Sequence, residues 1–342
     1  MYSLRVLFQP TSQVNPSGRT ASLEKLLIQR GGPRMNAKRR KGPSKAEERK
    51  GSEHPAKAPL NLRRRVTARV LLSLALIAVL YLSAVWRSNV STTFASFSEN
   101  LTVKFQAVTC SNDYINESHL FPECVPRRCG RVASDSVVTP EEVTKLRQIV
   151  QNGMALSRSS GGASILDLHS GSVSHGEGFV NIYKFAKKKG VQYPFNEEDF
   201  QLYRQVKDKV HTLVSHQFAV PPKHLYLTHP TFFSEMTDRE ARTVHDNYWQ
   251  IHVDKETYGS FHYTSLVYLS DYGQDFEGGR LIFVSDAGNA TVEPKKGRIV
   301  SFTSGSENPH HVEKVMRGVR YALTVSFSCD PAKAIEDPRP AA

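Results

Sequence analysis

Cysteine is scarce in this chain. Among 342 residues there are four, Cys110, Cys124, Cys129 and Cys329, and no Cys-x-x-Cys pair. A zinc site built on paired thiolates is therefore disfavoured. Acidic residues are nearly missing from the first part of the chain. Residues 1–69 hold 17 Lys and Arg but only four Asp and Glu. The whole chain carries a net charge of +12, so residues 70–342 are close to neutral. The basic surplus belongs to the N-terminal tail. The rest lacks the charge that a nucleic-acid surface needs, and no nucleic-acid partner is expected. Between Val70 and Trp86 charge is absent altogether.

That uncharged run is mostly apolar and stands at the short end of what spans a bilayer. It has no polar face, so a buried core helix fits it less well. It starts too far from the N-terminus for a cleaved signal peptide. Arg69 can snorkel, and Tyr81 and Trp86 have an interfacial preference. Arg63, Arg64, Arg65 and Arg69 precede the run and only Arg87 follows closely. The positive-inside rule then puts the N-terminus in the cytosol. The expectation is a single-pass type II membrane protein of the endoplasmic reticulum or Golgi, luminal after residue 87. Sequons at Asn89, Asn100, Asn116 and Asn289 all follow the run, as do the four cysteines. Asn100, Asn116 and Asn289 are the candidate glycosylation sites, Asn89 being too near the bilayer. In an oxidising lumen, four cysteines allow two disulfides in three connectivities.

Residues 1–66 read as a disordered, basic cytoplasmic tail. Its Lys38–Lys41 and Arg63–Arg65 clusters read as solvated topogenic charge rather than a lipid-headgroup site. Residues 67–87 are the signal-anchor helix, 88–135 a luminal stalk with a Cys-containing loop, and 136–224 a helical support region. Residues 225–330 form a β-rich domain and 331–342 a tail. In the support region Thr139 is an N-cap with Pro140 at the first helical position. Val143, Leu146, Ile149 and Val150 follow as an apolar stripe. A second helix over about Glu197–Phe218 repeats Phe200, Tyr203, Val206, Val210, Leu213 and Val214 at helical spacing. Phe261–Ser270 alternates as a strand. The short strands after it, broken by Gly, Pro and Asn turns, have the pattern of an antiparallel barrel or jelly roll.

His252-Val-Asp254 and the pair His310–His311 carry the chemistry. Two imidazoles and one carboxylate are the ligand set that leaves positions open on ferrous iron. On a strand, residues i and i+2 share a face. His252 and Asp254 can then reach one metal from one strand, and a distant strand can bring the third ligand. The tripeptide alone is not specific. Among 13 histidines, His-x-Asp/Glu recurs at His175-Gly-Glu177 and His311-Val-Glu313. The context gives it weight: the strand after it, the histidine pair, then Arg320 and Thr324. With these, the region from about Leu225 to Cys329 resembles the 2-oxoglutarate and iron-dependent oxygenases of the prolyl and lysyl hydroxylase type.

The resemblance implies a mainly β fold, a double-stranded β-helix (jelly roll) buttressed by flanking helices. It implies Fe(2+) held by His252, Asp254 and a distal histidine ten residues before the basic residue that binds the co-substrate. Counting back from Arg320 gives His310, with His311 on the other strand face. Arg320 would pair with the distal carboxylate of 2-oxoglutarate, since a planar guanidinium binds a carboxylate bidentately. Thr324, on the same face, and Tyr268 would contact the same co-substrate. Gly278-Gly279 resembles the family's glycine pair, there for close backbone packing. Tyr248 and Trp249 read as core aromatics. The implied reaction consumes dioxygen and 2-oxoglutarate and yields succinate, carbon dioxide and a hydroxylated product, with L-ascorbate as reductant. The implied partner is a protein substrate, hydroxylated at a prolyl or lysyl side chain. The alternatives are a non-catalytic luminal binding module that keeps the fold, or a tethered protein acting through its basic tail.

Overall fold

The computed structural model describes residues 62–88, 91–190 and 192–339. The expectations for the tail before residue 62 and for Asn89 lie outside the described residues. Leu62–Ser88 is a single 27-residue helix, about 40 Å long at 1.5 Å per residue. Its window Val66–Ser83 has a mean hydropathy of 2.1 and is 0% buried. By length and composition this helix can cross a membrane. It is a unit of its own as far as Tyr81, and a second, compact unit follows.

The compact unit is built on two β-sheets between which the chain keeps crossing. Phe232–Thr237 lies in the larger sheet, and His252 then bridges to the smaller one. Tyr263–Tyr268 returns to the larger sheet, while Leu281–Phe283 and Asn289–Val292 lie in the smaller. Ile299–Thr303, His310–Val312 and Val315–Ser328 alternate once more. This crossing pattern is that of a jelly roll. Phe283 and Val292 of the smaller sheet join Tyr268, Val300 and Phe302 of the larger in one apolar cluster. That cluster fills the space between the sheets.

Val315–Ser328 is the central strand. It pairs with Phe232–Thr237 on one side and Tyr263–Tyr268 on the other. Its side chains alternate as the pleat requires. Ala322 belongs to the cluster between the sheets. Tyr321, Leu323, Val325 and Phe327 belong to a second cluster with Val143, Leu146, Val206 and Val210. Those partners lie on the helices Pro140–Leu156, which starts where the Thr139 cap predicts, and Glu197–Phe218, which has the bounds that the apolar spacing predicts. Thr139 caps the first in a capping box with Glu142, and Asn196 caps the second with Asp199. Each such cap satisfies backbone N–H groups that a helix start leaves open.

Three expectations change. The 88–135 segment is not a detached stalk. Ser91–Ala95 pairs in parallel with Asn289–Val292 in the smaller sheet. Lys104–Ala107 and Gly130–Ser134 extend the larger one. The fully buried Arg298 fastens this segment, donating to Asp135 and to the carbonyls of Ser96 and Glu99. The physical reason is that both sheets otherwise end in unpaired strand edges. For the same reason the 136–224 region is not helical throughout. Its strands Ala163–Asp167, Ser172–His175 and Gly178–Asn181 continue the larger sheet past Phe232–Thr237. The segment after Pro331 also packs: Ile335 N–H donates to Leu227 O, and Lys207 meets Asp337. Lys295 donates to Asn100 at 2.6 Å, and Lys296 pairs with Asp271 and Asp275.

The cysteines form Cys110–Cys129 and Cys124–Cys329, the second across 205 residues. A cross-link over so long a loop restricts the unfolded chain strongly. Cys124→Ser/Cys329→Ser should lower stability by about 2–5 kcal/mol, read as an earlier denaturation midpoint of the full chain in detergent. An unchanged midpoint would show that this link adds nothing.

Candidate active site

His252 and His310 face each other across a two-residue β-bridge. Each backbone N–H donates to the other's carbonyl, at 2.9 and 3.0 Å. The two rings come within 4.4 Å between centroids. Asp254 is not on a continuous strand with His252, as the i, i+2 reading has it. It opens the short helix Asp254–Tyr258 after an extended Val253. Even so, its Oδ1 stands 3.8 Å from Nε2 of His252 and 3.8 Å from Nε2 of His310. Among the described residues these three form the one group of His, Cys, Asp and Glu side chains arranged to hold a metal, with ligand atoms within 4.8 Å. His311 points elsewhere, opposite Ile282 on the other strand face.

Hydrogen bonds aim each of the three. Nδ1 of His252 meets Gln250 O at 2.9 Å, and Nδ1 of His310 meets Asn308 O at 2.9 Å. A carbonyl can only accept, so Nδ1 carries the proton and both Nε2 lone pairs are free for a metal. Thr264 donates to Asp254 Oδ2 at 2.6 Å and meets Ser304 at 2.9 Å. That leaves Oδ1 turned to the imidazoles. Burial lowers His310 to about 4, against the opposing pull of Asp254. It is neutral at physiological pH, the form that binds metal. Phe302 and Phe283 pack on its ring at 4.8 and 5.8 Å.

A second polar group lies between the sheets. Arg320 is 1% exposed. Its Nε donates to Gly279 O at 2.9 Å and its Nη1 reaches Met236 Sδ at 3.5 Å. Its charge lies 5.2 Å from the Tyr268 ring centroid. Arg320 Nη2 and Tyr268 Oη are both buried without a hydrogen-bond partner. A buried guanidinium with an open N–H is costly, and an anionic acceptor would relieve that cost. Burial pushes its pKa down, and Tyr268 partly offsets this. Thr324 follows on the same strand face, 9% exposed. The glycine pair makes the arrangement possible. Gly278 and Gly279 have φ of +70° and +62°. A Cβ on Gly278 would stand 2.1 Å from Lys314 O, and one on Gly279 3.0 Å from Arg320 Cδ.

Tyr248 and Trp249 are half-buried at a surface cleft with Lys314, which lies 4.1 Å over the Trp249 ring. Asn100 and Asn116 are exposed, and Asn289 is half-buried in a strand opposite Ser91. Sequence reasoning missed Thr264, Ser304, the carbonyls of Gln250 and Asn308, and Met236. Thr264 alternates with Leu266 and Tyr268 on the inward face of its strand, a signal that was there to read. The others gave none.

Residues 235–328 match the 2OG-Fe(II) oxygenase superfamily. The chain is 47% identical over 313 residues to 2-oxoglutarate and iron-dependent oxygenase domain-containing protein 3 of Mus musculus, covering 90% of this chain and 98% of that relative. It belongs to the 2OG-Fe(II) oxygenase superfamily. Prolyl 3-hydroxylase 1 of Gallus gallus is 32% identical over 221 residues, 59% of this chain and 29% of that one. A solved prolyl hydroxylase of Trichoplax adhaerens, in complex with a hypoxia inducible factor peptide, has a TM-score of 0.41 at 16% identity, over 64% of this chain and 88% of that one.

Superfamily membership implies Fe(2+) and 2-oxoglutarate. The residues fit both. Two imidazoles with free Nε2 and one carboxylate suit ferrous iron. The open Arg320 N–H and Tyr268 hydroxyl suit a carboxylate. Arg320→Ala should therefore cost roughly 3–5 kcal/mol of 2-oxoglutarate binding, a hundredfold or more at about 1.4 kcal/mol per tenfold. Arg320→Lys should recover part, since charge returns without the planar fork. Tyr268→Phe and Thr324→Val should each cost about 1–3 kcal/mol. Titration of 2-oxoglutarate at saturating metal measures all four. Wild-type affinity in Arg320→Ala would make the arginine structural only.

Proposed function

We propose that the chain is an active, membrane-anchored Fe(2+)- and 2-oxoglutarate-dependent dioxygenase that hydroxylates a protein side chain in the secretory lumen. One observation carries the reading. Two tautomer-fixed imidazoles and one oriented carboxylate converge within 4.8 Å, in the same inter-sheet space as a buried arginine with an open N–H. That combination counts against a non-catalytic module that only keeps the fold.

In this reading His252, Asp254 and His310 hold the iron, and Arg320, Tyr268 and Thr324 take the distal carboxylate of 2-oxoglutarate. With dioxygen, the bound iron and 2-oxoglutarate would supply hydroxylation, one oxygen atom going into the substrate C–H bond and the other into succinate as carbon dioxide leaves, and L-ascorbate would keep the iron reduced. The protein's own part is positional. The Gln250 and Asn308 carbonyls keep the protons on Nδ1. Thr264 stops Asp254 from turning away. Phe283 and Phe302 exclude water from the buried side of His310. A prolyl or lysyl substrate rests on the resemblance to the chicken protein, whose name is prolyl 3-hydroxylase 1. Comparing secretory proteins from cells with and without the active chain for 2-oxoglutarate-dependent mass gain tests it. No gain on any prolyl or lysyl peptide would send the substrate elsewhere.

The luminal assignment is supported by the two disulfides, which persist in oxidising compartments. The exposed apolar run of the Leu62–Ser88 helix and the arginines in its first turns support a type II anchor. Protease added to intact microsomes should remove only the N-terminal tail. Glycosidase should shift mobility, through Asn100 and Asn116 above all, because these are exposed. Digestion of the body in sealed microsomes would put it in the cytosol instead.

A further inference from the structure

Residues 110–129 form a disulfide-closed loop that the chemistry above does not use. The loop touches both segments that carry the candidate iron ligands. On one side Glu117 Oε2 accepts from Lys255 Nζ at 2.6 Å and from His262 Nε2 at 3.0 Å. Lys255 directly follows Asp254, and its side chain is only 10% exposed. On the other side the Tyr114 hydroxyl donates to Glu307 Oε1 at 2.9 Å and accepts from Gly305 N–H at 2.6 Å. Asp113 Oδ2 accepts from both the N–H and the hydroxyl of Ser306, each at 2.6 Å. The turn held in this way runs into Asn308, whose carbonyl orients His310.

The two sides also meet. Ser304 O accepts from Lys255 N–H at 2.9 Å. The Ser304 hydroxyl contacts Thr264, which holds Asp254. The loop itself is fixed by Cys110–Cys129 and tied by Cys124 to Cys329 at the end of the central strand. His262 Nδ1 stands 3.1 Å from both Cys329 N and Ser260 O, and these two contacts hold the ring with Nε2 toward Glu117. Burial raises the Glu117 carboxyl, but the bonds from His262 and Lys255 outweigh it and bring it to about 2. Glu117 is thus ionised, and it pairs the nearly buried Lys255 ammonium.

We infer that the Cys110–Cys129 loop is a clamp that sets the spacing between the two iron-ligand segments, with Tyr114 and Glu117 as positioning residues. The inference rests on the iron reading above. Asp254 and His310 come from segments 56 residues apart, and ligand atoms must be held to within about 0.5 Å to bind a metal well. The shared backbone pair fixes His252 against His310. The clamp fixes Asp254 against both.

The test is cobalt(II) binding to the full chain in detergent, read by titration and by the visible absorption band of the bound ion. 2-Oxoglutarate binding at saturating metal is measured beside it. Glu117→Ala, Tyr114→Phe and Cys110→Ser/Cys129→Ser should each weaken cobalt binding by roughly 10- to 100-fold and change the band. Glu117→Gln keeps an acceptor and should recover part. Affinity for 2-oxoglutarate at saturating metal should fall much less than affinity for cobalt, because Arg320 and its Gly279 partner lie apart from the loop's contacts. Tyr114→Phe removes a single oxygen, so it keeps the test readable if the larger changes unfold the chain. Unchanged cobalt affinity and band in folded Tyr114→Phe and Glu117→Ala would overturn the clamp. So would equal losses for cobalt and 2-oxoglutarate, which would mean general loosening. If His252→Ala binds cobalt like the unaltered chain, the iron reading fails and the clamp falls with it.

Discussion

Three side chains from two distant segments have to meet within 4.8 Å of one another, and the rest of the body is arranged around that requirement. The central interaction is the backbone pair between His252 and His310. It is only two hydrogen bonds, each worth about 1 kcal/mol net. Its geometric effect is larger than its energy. It puts two imidazoles side by side with Nε2 atoms aimed at the same carboxylate oxygen. The smaller sheet then supports His310 through Leu281–Phe283, and Phe283 and Phe302 close around its ring.

A second constraint is the guanidinium of Arg320. Burying a charge without a full set of partners is expensive. Gly279 and Met236 satisfy part of the group, and Nη2 remains without a partner. A site that leaves a buried donor unsatisfied gives up stability for readiness toward an acceptor. The glycine pair is the backbone counterpart of that choice. Left-handed φ at both positions lets the Gly279 carbonyl approach Arg320 where a Cβ would intrude.

Much of this was legible in the sequence. The helices Pro140–Leu156 and Glu197–Phe218 follow from capping residues and apolar spacing, because a helix is specified locally. His252 and Asp254 stood out as a motif, while the choice of His310 and the co-substrate roles of Arg320, Thr324 and Tyr268 rested on the family resemblance; the structure brings His252, Asp254 and His310 together as an imidazole–carboxylate group. What the sequence hid is non-local. Ser91–Ala95 carries little apolar alternation, and it is a strand because the smaller sheet needs an edge partner. The expected stalk was therefore read from composition where pairing decided the outcome. The Thr264 bond to Asp254 and the Tyr114–Glu307 contact join residues that no local pattern connects. Which cysteines pair was equally beyond spacing, since the choice depends on where Cys329 ends the central strand.

The central claim is that His252, Asp254 and His310 hold a working iron. The most direct measurement is release of carbon dioxide from carboxyl-labelled 2-oxoglutarate by the purified full chain with ferrous iron, alongside the stoichiometry of bound iron. The account predicts one iron per chain and measurable release, both lost in His252→Ala and in Asp254→Ala. Full iron retention in a chain with His252 and Asp254 both replaced, or release that persists there, would contradict it.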